Sequence, residues 1–214
     1  MIGVKSQKIY RLLCETPGMM SQVEIAERCD CSLSYVNKVL NILKRKKCVH
    51  QPYKNRISVL NFQSLLLMWA FTRDIEDEEI KEVQTTFSPK ELEEEIPKIF
   101  NEYALGLFSS ARFRGIKEVP YDDIYIYLNY KEMGKLKRIE PGNKSRLYII
   151  ISKDEAMNAL AEQIEVKNFT KLSQTFVDLV SLNTWESNYT ALKLSEIDDR
   201  YPIFGSKKEL EGMM

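Results

Sequence analysis

The sequence predicts an α+β protein in two parts: an N-terminal helical unit that closes on a β-hairpin, and a C-terminal unit that mixes helices with strands. Three observations lead there. Residues 21–60 hold two capped helices joined by a three-residue turn and followed by two short extended runs. The formal net charge of zero divides unevenly, since residues 1–73 carry 12 Lys+Arg against 4 Asp+Glu, net +8, and the remainder carries 19 against 27, net −8. Beyond residue 100, apolar strand-like runs alternate with helical patterns.

A first helix is expected over residues 6–15. Ser21 then caps a short helix over 22–29, the triplet Asp30-Cys31-Ser32 turns the chain, and Ser32 caps a second helix running toward Lys47. On that helix Val36, Val39, Leu40 and Leu43 fall at i, i+3, i+4 and i+7, one buried stripe at the helical period. The opposite surface carries Ser34, Tyr35, Asn37, Lys38 and Asn41, whose side chains stack on, or hydrogen-bond to, a base edge or a phosphate. Tyr35 has two readings, a base-stacking ring or an aromatic half-packed against the hairpin. Lys44-Arg45-Lys46-Lys47 sets four cations at the helix end, where they complement its dipole. Residues 48–51 and 57–60 are short extended runs, and Asn55 between them tolerates the left-handed conformation of a hairpin tip. Lys54 and Arg56 project from that tip at phosphate or minor-groove height. The expected DNA-contacting set is therefore Ser32, Ser34, Tyr35, Asn37, Lys38, Asn41, Lys44, Arg45, Lys54, Asn55 and Arg56. Only this basic part is built to meet a polyanion, and about five phosphate contacts predict a log K against log salt slope of about −4 to −5.

The run from Val23 to Val36, with Ala26 at the helix crossing, resembles the core of winged helix-turn-helix transcription regulators. Lys47 departs from that pattern, standing where such proteins often carry the glycine that ends the recognition helix. The resemblance implies binding of double-stranded DNA. Winged helices also dock proteins, so an interaction scaffold is the alternative from another class.

Composition sets the remaining bounds. A 214-residue chain, 44% hydrophobic and 29% charged, is long enough for two small cores. No signal pattern is seen, and the most apolar stretch, residues 65–71, is far shorter than the roughly 20 residues a bilayer needs, so a cytoplasmic location without membrane contact is expected. As a helix that stretch is apolar all round and needs cover, from the second domain or from another copy in a homodimer. Cys29-x-Cys31 and Cys48-x-His50 have the wrong spacing for zinc, and Cys29, Cys31 and Cys48 read as small core residues, with Cys14 facing the same core from the first helix. No metal and no cofactor are expected.

Between the parts lies the acidic run from Asp74 to Glu79, including Glu76 and Asp77. It reads as a solvated linker helix or as a segment lying against the basic domain. The expected division is 1–73 for DNA binding, 74–87 for an acidic linker and 88–214 for the α+β domain. Ser88-Pro89-Lys90-Glu91 is a capping box that starts a helix toward Tyr103, with Pro97 expected to kink or split it. A small-residue helix over 105–113, strands over 123–128 and 146–151, the latter central, a third strand over 163–166, and helices over 172–182 and 188–194 complete the domain.

In that order of elements, opened by Ala104-Leu105-Gly106-Leu107-Phe108-Ser109-Ser110-Ala111 and closed by the run from Leu172 to Val180, the chain resembles the AbiEi-type antitoxins. In that family a winged helix is joined to a nucleotidyltransferase-like domain. The resemblance implies a repressor of its own operon that opposes a nucleotidyltransferase-like toxin. An active transferase would need carboxylates at i and i+2 on one strand face to hold metal ions. Asp122 and Asp123 are adjacent and diverge, and Gly106 is separated from Ser109-Ser110, so the domain is expected to be non-catalytic. One histidine, no glycine-rich phosphate loop and no Ser/His/Asp arrangement leave little for other enzymes. His50 reads as structural or phosphate-adjacent. Arg112 and Arg114 beside Ser109 and Ser110 read as a solvated helix end, with anion holding as the alternative.

Overall fold

The computed structural model describes residues 4–75, 78–119, 122–152, 160–198 and 200. It forms two compact units, one from Met1–Arg73 with Leu192–Met214 and the other from Asp74–Ala191. Glu76 and Asp77 of the acidic run lie outside the described residues.

The N-terminal unit runs α1 (Val4–Glu15), β1 (Met19–Ser21), α2 (Gln22–Arg28), α3 (Leu33–Arg45), β2 (Val49–Tyr53), β3 (Arg56–Val59) and α4 (Phe62–Thr72). Both expected caps form: Ser21 Oγ accepts the Glu24 N–H at 3.0 Å, and Ser32 Oγ accepts the Tyr35 N–H at 3.2 Å. The two helices also close alike at their C-termini. The Cys31 N–H reaches the Ala26 carbonyl at 2.9 Å with Asp30 at φ +50°, and the Cys48 N–H reaches the Leu43 carbonyl at 2.9 Å with Lys47 at φ +57°. Lys47 thus occupies the left-handed position that glycine ordinarily fills, and α3 ends at Arg45. The three strands form one antiparallel sheet in the order β1-β3-β2. Tyr53 pairs with Arg56, which leaves Lys54 and Asn55 at the hairpin tip, with Asn55 at φ +63°.

The cover expected for residues 65–71 comes first from within the same unit. Leu65, Leu66, Trp69 and Ala70 are buried, α1 packs on α4, and the Trp69 indole N–H donates to Gln7 of α1. Phe71 stays 72% exposed.

The C-terminal unit runs β4 (Ile80–Thr85), α5 (Pro89–Ile99), β5 (Tyr103–Leu105), α6 (Leu107–Phe113), β6 (Asp123–Asn129), a 3-10 segment (Tyr130–Arg138), β7 (Ser145–Ser152), β8 (Ala161–Ile164), β9 (Lys167–Thr170), α7 (Leu172–Leu182) and α8 (Trp185–Ser195), whose last turn groups with the N-terminal unit. One mixed sheet has the order β4-β7-β6-β5-β9-β8, parallel between β6 and β7 and between β5 and β9. Leu92, Ile96 and Ile99 of α5 pack on one face, against Ile124, Ile126 and Leu128 of β6 and Leu147, Ile149 and Ile151 of β7. On the other face the Tyr127 hydroxyl donates to Asp178 Oδ2 of α7 at 2.8 Å, and Phe108 of α6 meets Tyr125 edge-on. The run over 146–151 is an interior strand because β4 and β6 pair along its two edges, with Leu147, Ile149 and Ile151 buried on one face while Arg146 on the other is exposed.

Four expectations are corrected. The acidic linker 74–87 contains a strand, β4, whose exposed Lys81, Glu82 and Gln84 hide the alternation of an edge strand. The helix expected over 105–113 divides at Gly106, where a Cβ would stand 3.3 Å from the Tyr127 ring, and Leu107 turns the chain at φ +44°. The strand expected over 163–166 is half a hairpin: β8 and β9 pair antiparallel around a turn with Glu165 at φ +57°. Finally, α5 runs through Pro97 and ends two residues later, short of Tyr103.

Candidate nucleic-acid interface

With Val36, Val39, Leu40 and Leu43 turned to the core, the direction opposite on α3 belongs to Ser34, Lys38, Asn41 and Arg45, spaced i, i+4, i+7 and i+11. All four are exposed. They form a hydroxyl, an ammonium, an amide and a guanidinium along a continuous ridge. Amide and guanidinium groups give bidentate bonds to adenine and guanine edges, and hydroxyl and ammonium groups suit phosphates as well as bases.

The flanks of α3 are committed elsewhere. Lys44 is half-buried and its Nζ donates to Gln51 Oε1 of β2 at 2.7 Å, tying the end of α3 to the wing. Asn37 is half-buried on the same side. Tyr35 is half-buried on the other side, close enough to Tyr10 of α1 to act on it electrostatically. Burial pushes the Tyr10 phenol above its ordinary range, a hydrogen bond with Thr72 opposes this, and Cys48 and Tyr35 add to it. Ser32 uses its hydroxyl as the α3 cap.

Lys54, Asn55 and Arg56 are exposed at the wing tip. Among the described residues, no side-chain hydrogen bond or ion pair engages Lys38, Arg45, Lys46, Lys47, Lys54 or Arg56, whereas Arg28 pairs with Glu24 at 3.2 Å. Neither Gln51 nor Tyr10 was marked by the sequence as part of this surface, because spacing along one element says nothing about which strand or helix stands beside it.

The remaining sequence-marked residues fall into place as structure. Cys29 and Cys48 are buried, and burial raises the Cys48 thiol above its usual range. Burial lifts Cys14 well above that range. Cys31 is only half-buried, with Sγ 3.2 Å from the Cys29 carbonyl, so it is not the core residue expected. His50 sits on β2 with its Nδ1 buried and unpartnered. Arg112 pairs with Glu93, and Arg114 reaches Glu162 and the Thr170 carbonyl, so neither is a solvated helix end. At the start of β6, Asp122 is exposed and Asp123 accepts two hydrogen bonds from Arg146 of β7, at 2.8 and 3.0 Å. The next residue on that face is Tyr125, stacked on Tyr148 at 4.8 Å. Burial, then the Asp123 charge, pushes the Tyr125 phenol up to about 12.

A helix-turn-helix followed by a two-stranded wing, with a polar cationic ridge left uncovered, defines a winged-helix module of the DNA-binding kind. Comparison with known families agrees: residues 5–49 match the family model described as winged helix-turn-helix DNA-binding. No curated protein and no solved structure matches the chain.

Proposed function

We propose that the chain is a sequence-specific transcription regulator that inserts α3 into a major groove and lays its wing along the adjacent backbone. The observation that carries this reading is the uncovered Ser34-Lys38-Asn41-Arg45 ridge. The finer reading is a repressor of its own operon, of antitoxin type, partnered by a nucleotidyltransferase-like toxin and acting in the cytoplasm as a homodimer on a two-fold site. It rests on the resemblance of residues 104–111 and 172–180 to the AbiEi-type antitoxins. No helix among the described residues is long and apolar enough to cross a membrane.

The C-terminal unit is proposed to be non-catalytic. A transferase would need Asp123 free to hold a cation, and here its carboxylate is engaged by the Arg146 guanidinium, with a tyrosine at the next position on that face. Incubation with labelled nucleotides, divalent metal and RNA is expected to give no turnover; turnover lost in Asp122→Ala would reverse the assignment. The regulatory reading is tested by retardation of DNA from upstream of the gene. Lys38→Ala with Asn41→Ala is expected to weaken specific binding more than random-sequence binding, and wild-type protein that leaves the upstream DNA unshifted would reject it.

A further inference from the structure

Charge in the segment between β6 and β7 runs against its surroundings. Residues 130–144 carry five Lys+Arg and two Asp+Glu, net +3, while the rest of 74–214 carries 14 against 25, net −11. Segregation of this kind marks a surface built for one sign of partner.

The backbone explains how the cations are displayed. Tyr130–Arg138 is nine residues of 3-10 helix, well beyond the usual three or four, and at three residues per turn side chains at i and i+3 eclipse. Three rows result. Met133, Leu136 and Ile139 join the core below. Glu132, Lys135 and Arg138 form a second row whose members are tied down: the Glu132 carboxylate accepts the Asn101 N–H at 2.9 Å and Lys135 Nζ at 2.8 Å, and Arg138 reaches the Ile99 carbonyl at 3.4 Å. The third row is Lys131, Gly134 and Lys137, all exposed. No side-chain hydrogen bond or ion pair engages either lysine among the described residues, and a Cβ on Gly134 would have nothing within 4 Å. Tyr130, 72% exposed, heads the segment.

Six residues at about 2.0 Å rise set the two ammonium groups about 12 Å apart across an open glycine floor. Projected on a duplex axis, where one strand places a phosphate about every 3.4 Å, that distance covers roughly three to four of them. The row offers cations without the amide or guanidinium forks that read bases, so its chemistry fits a sugar-phosphate backbone of any sequence.

We propose that Lys131 and Lys137, spaced across Gly134, form a second nucleic-acid contact that grips the backbone without reading sequence and independently of the winged helix. The test uses the full chain carrying Lys131→Gln with Lys137→Gln, in the wild-type background and in one where Lys38→Gln, Lys54→Gln and Arg56→Gln weaken the winged helix. Binding of random-sequence duplex is followed from 50 to 200 mM salt. The slope of log K against log salt is expected to become shallower by about 1.8 in both backgrounds, from about 0.9 for each lysine that no longer meets a phosphate. Restoring charge with Lys131→Arg and Lys137→Arg is expected to restore the slope, and the thermal midpoint is expected to stay constant. An unchanged slope in both backgrounds would overturn the contact. A change confined to the background with an intact winged helix would overturn its independence.

Discussion

The wing gives the sharpest quantitative expectation. Six cations on α3 and the wing, namely Lys38, Arg45, Lys46, Lys47, Lys54 and Arg56, are unpaired among the described residues, while Lys44 is held by Gln51. If five meet phosphates, the winged helix contributes about −4.5 to the slope of log K against log salt, and through these contacts a fourfold rise from 50 to 200 mM weakens binding by about 500-fold. Lys54→Gln with Arg56→Gln removes two of the five, so that contribution falls to about −2.7, the slope becomes shallower by about 1.8, and through the remaining three the same rise weakens binding only about 40-fold. Lys54 lies in the hairpin turn, and Arg56 opens β3 with its pairing to Tyr53 and Ser21 made through the backbone and its side chain exposed, so the strand pairing is left in place. Fluorescence anisotropy on a specific and a random duplex, each titrated at four salt concentrations, reads the effect directly. Specific and random binding should lose affinity by the same factor, because backbone contacts carry no sequence information. A slope that stays near its wild-type value would mean the wing tip meets no phosphate. A loss confined to the specific duplex would mean that it reads bases.

Three further outcomes are expected. Lys38→Ala with Asn41→Ala should cost about 1–3 kcal/mol of discrimination between specific and random duplex for each bidentate base pairing removed, measured as the ratio of the two affinities. Trp69→Ala, in a fully buried position where the indole also bonds Gln7, should destabilise the N-terminal unit by about 3–5 kcal/mol in urea unfolding, and a loss below about 1 kcal/mol would show that α4 is not packed as described. The Tyr125 phenol, raised to about 12 by burial and by the Asp123 charge, favours the folded state while neutral. Its contribution is complete below the unfolded value near 10 and is lost as pH climbs from about 10 to about 12, and Tyr125→Phe should flatten stability over that window.

The N-terminal unit was legible because its signals are local. Ser21 and Ser32 are caps that act within three residues, and the stripe from Val36 to Leu43 repeats at a period that only a helix satisfies. Strand β1 escaped because three residues cannot show alternation, and its existence is decided by its pairing with β3. In the C-terminal unit the buried strands β6 and β7 declared themselves through β-branched and aromatic runs. Edge strand β4 did not: its charged residues face water and resemble linker, and only the register with β7 makes it a strand. Gly106 divides strand from helix for a reason found 21 residues away, in the Tyr127 ring. On α3, periodicity placed Ser34, Lys38 and Asn41 on the exposed side, but Tyr35 and Asn37, expected there too, are half-buried, and Arg45 extends the ridge in their place. The role of Lys44 depends on Gln51, a partner from another element that no spacing rule names.

Lys47 joins the fold to the function in one residue. Its left-handed backbone costs a non-glycine side chain about 1–2 kcal/mol, and glycine would avoid that. In return it stands just past the end of α3, where a cation gains about 0.3–1 kcal/mol from the dipole, less than the strain it carries. Stability therefore does not account for a lysine here, whereas the phosphate contact proposed for this basic helix end would. Lys47→Gly should raise unfolding free energy by about 0.5–1 kcal/mol, and by more at high salt, where the dipole interaction is screened. The same substitution should make the DNA-binding slope shallower by about 0.9. Opposite signs in the two measurements are the signature expected of a strained cation kept for its ligand. A variant that loses stability would show the left-handed position to be unstrained, and one that gains stability with an unchanged salt slope would remove Lys47 from the interface.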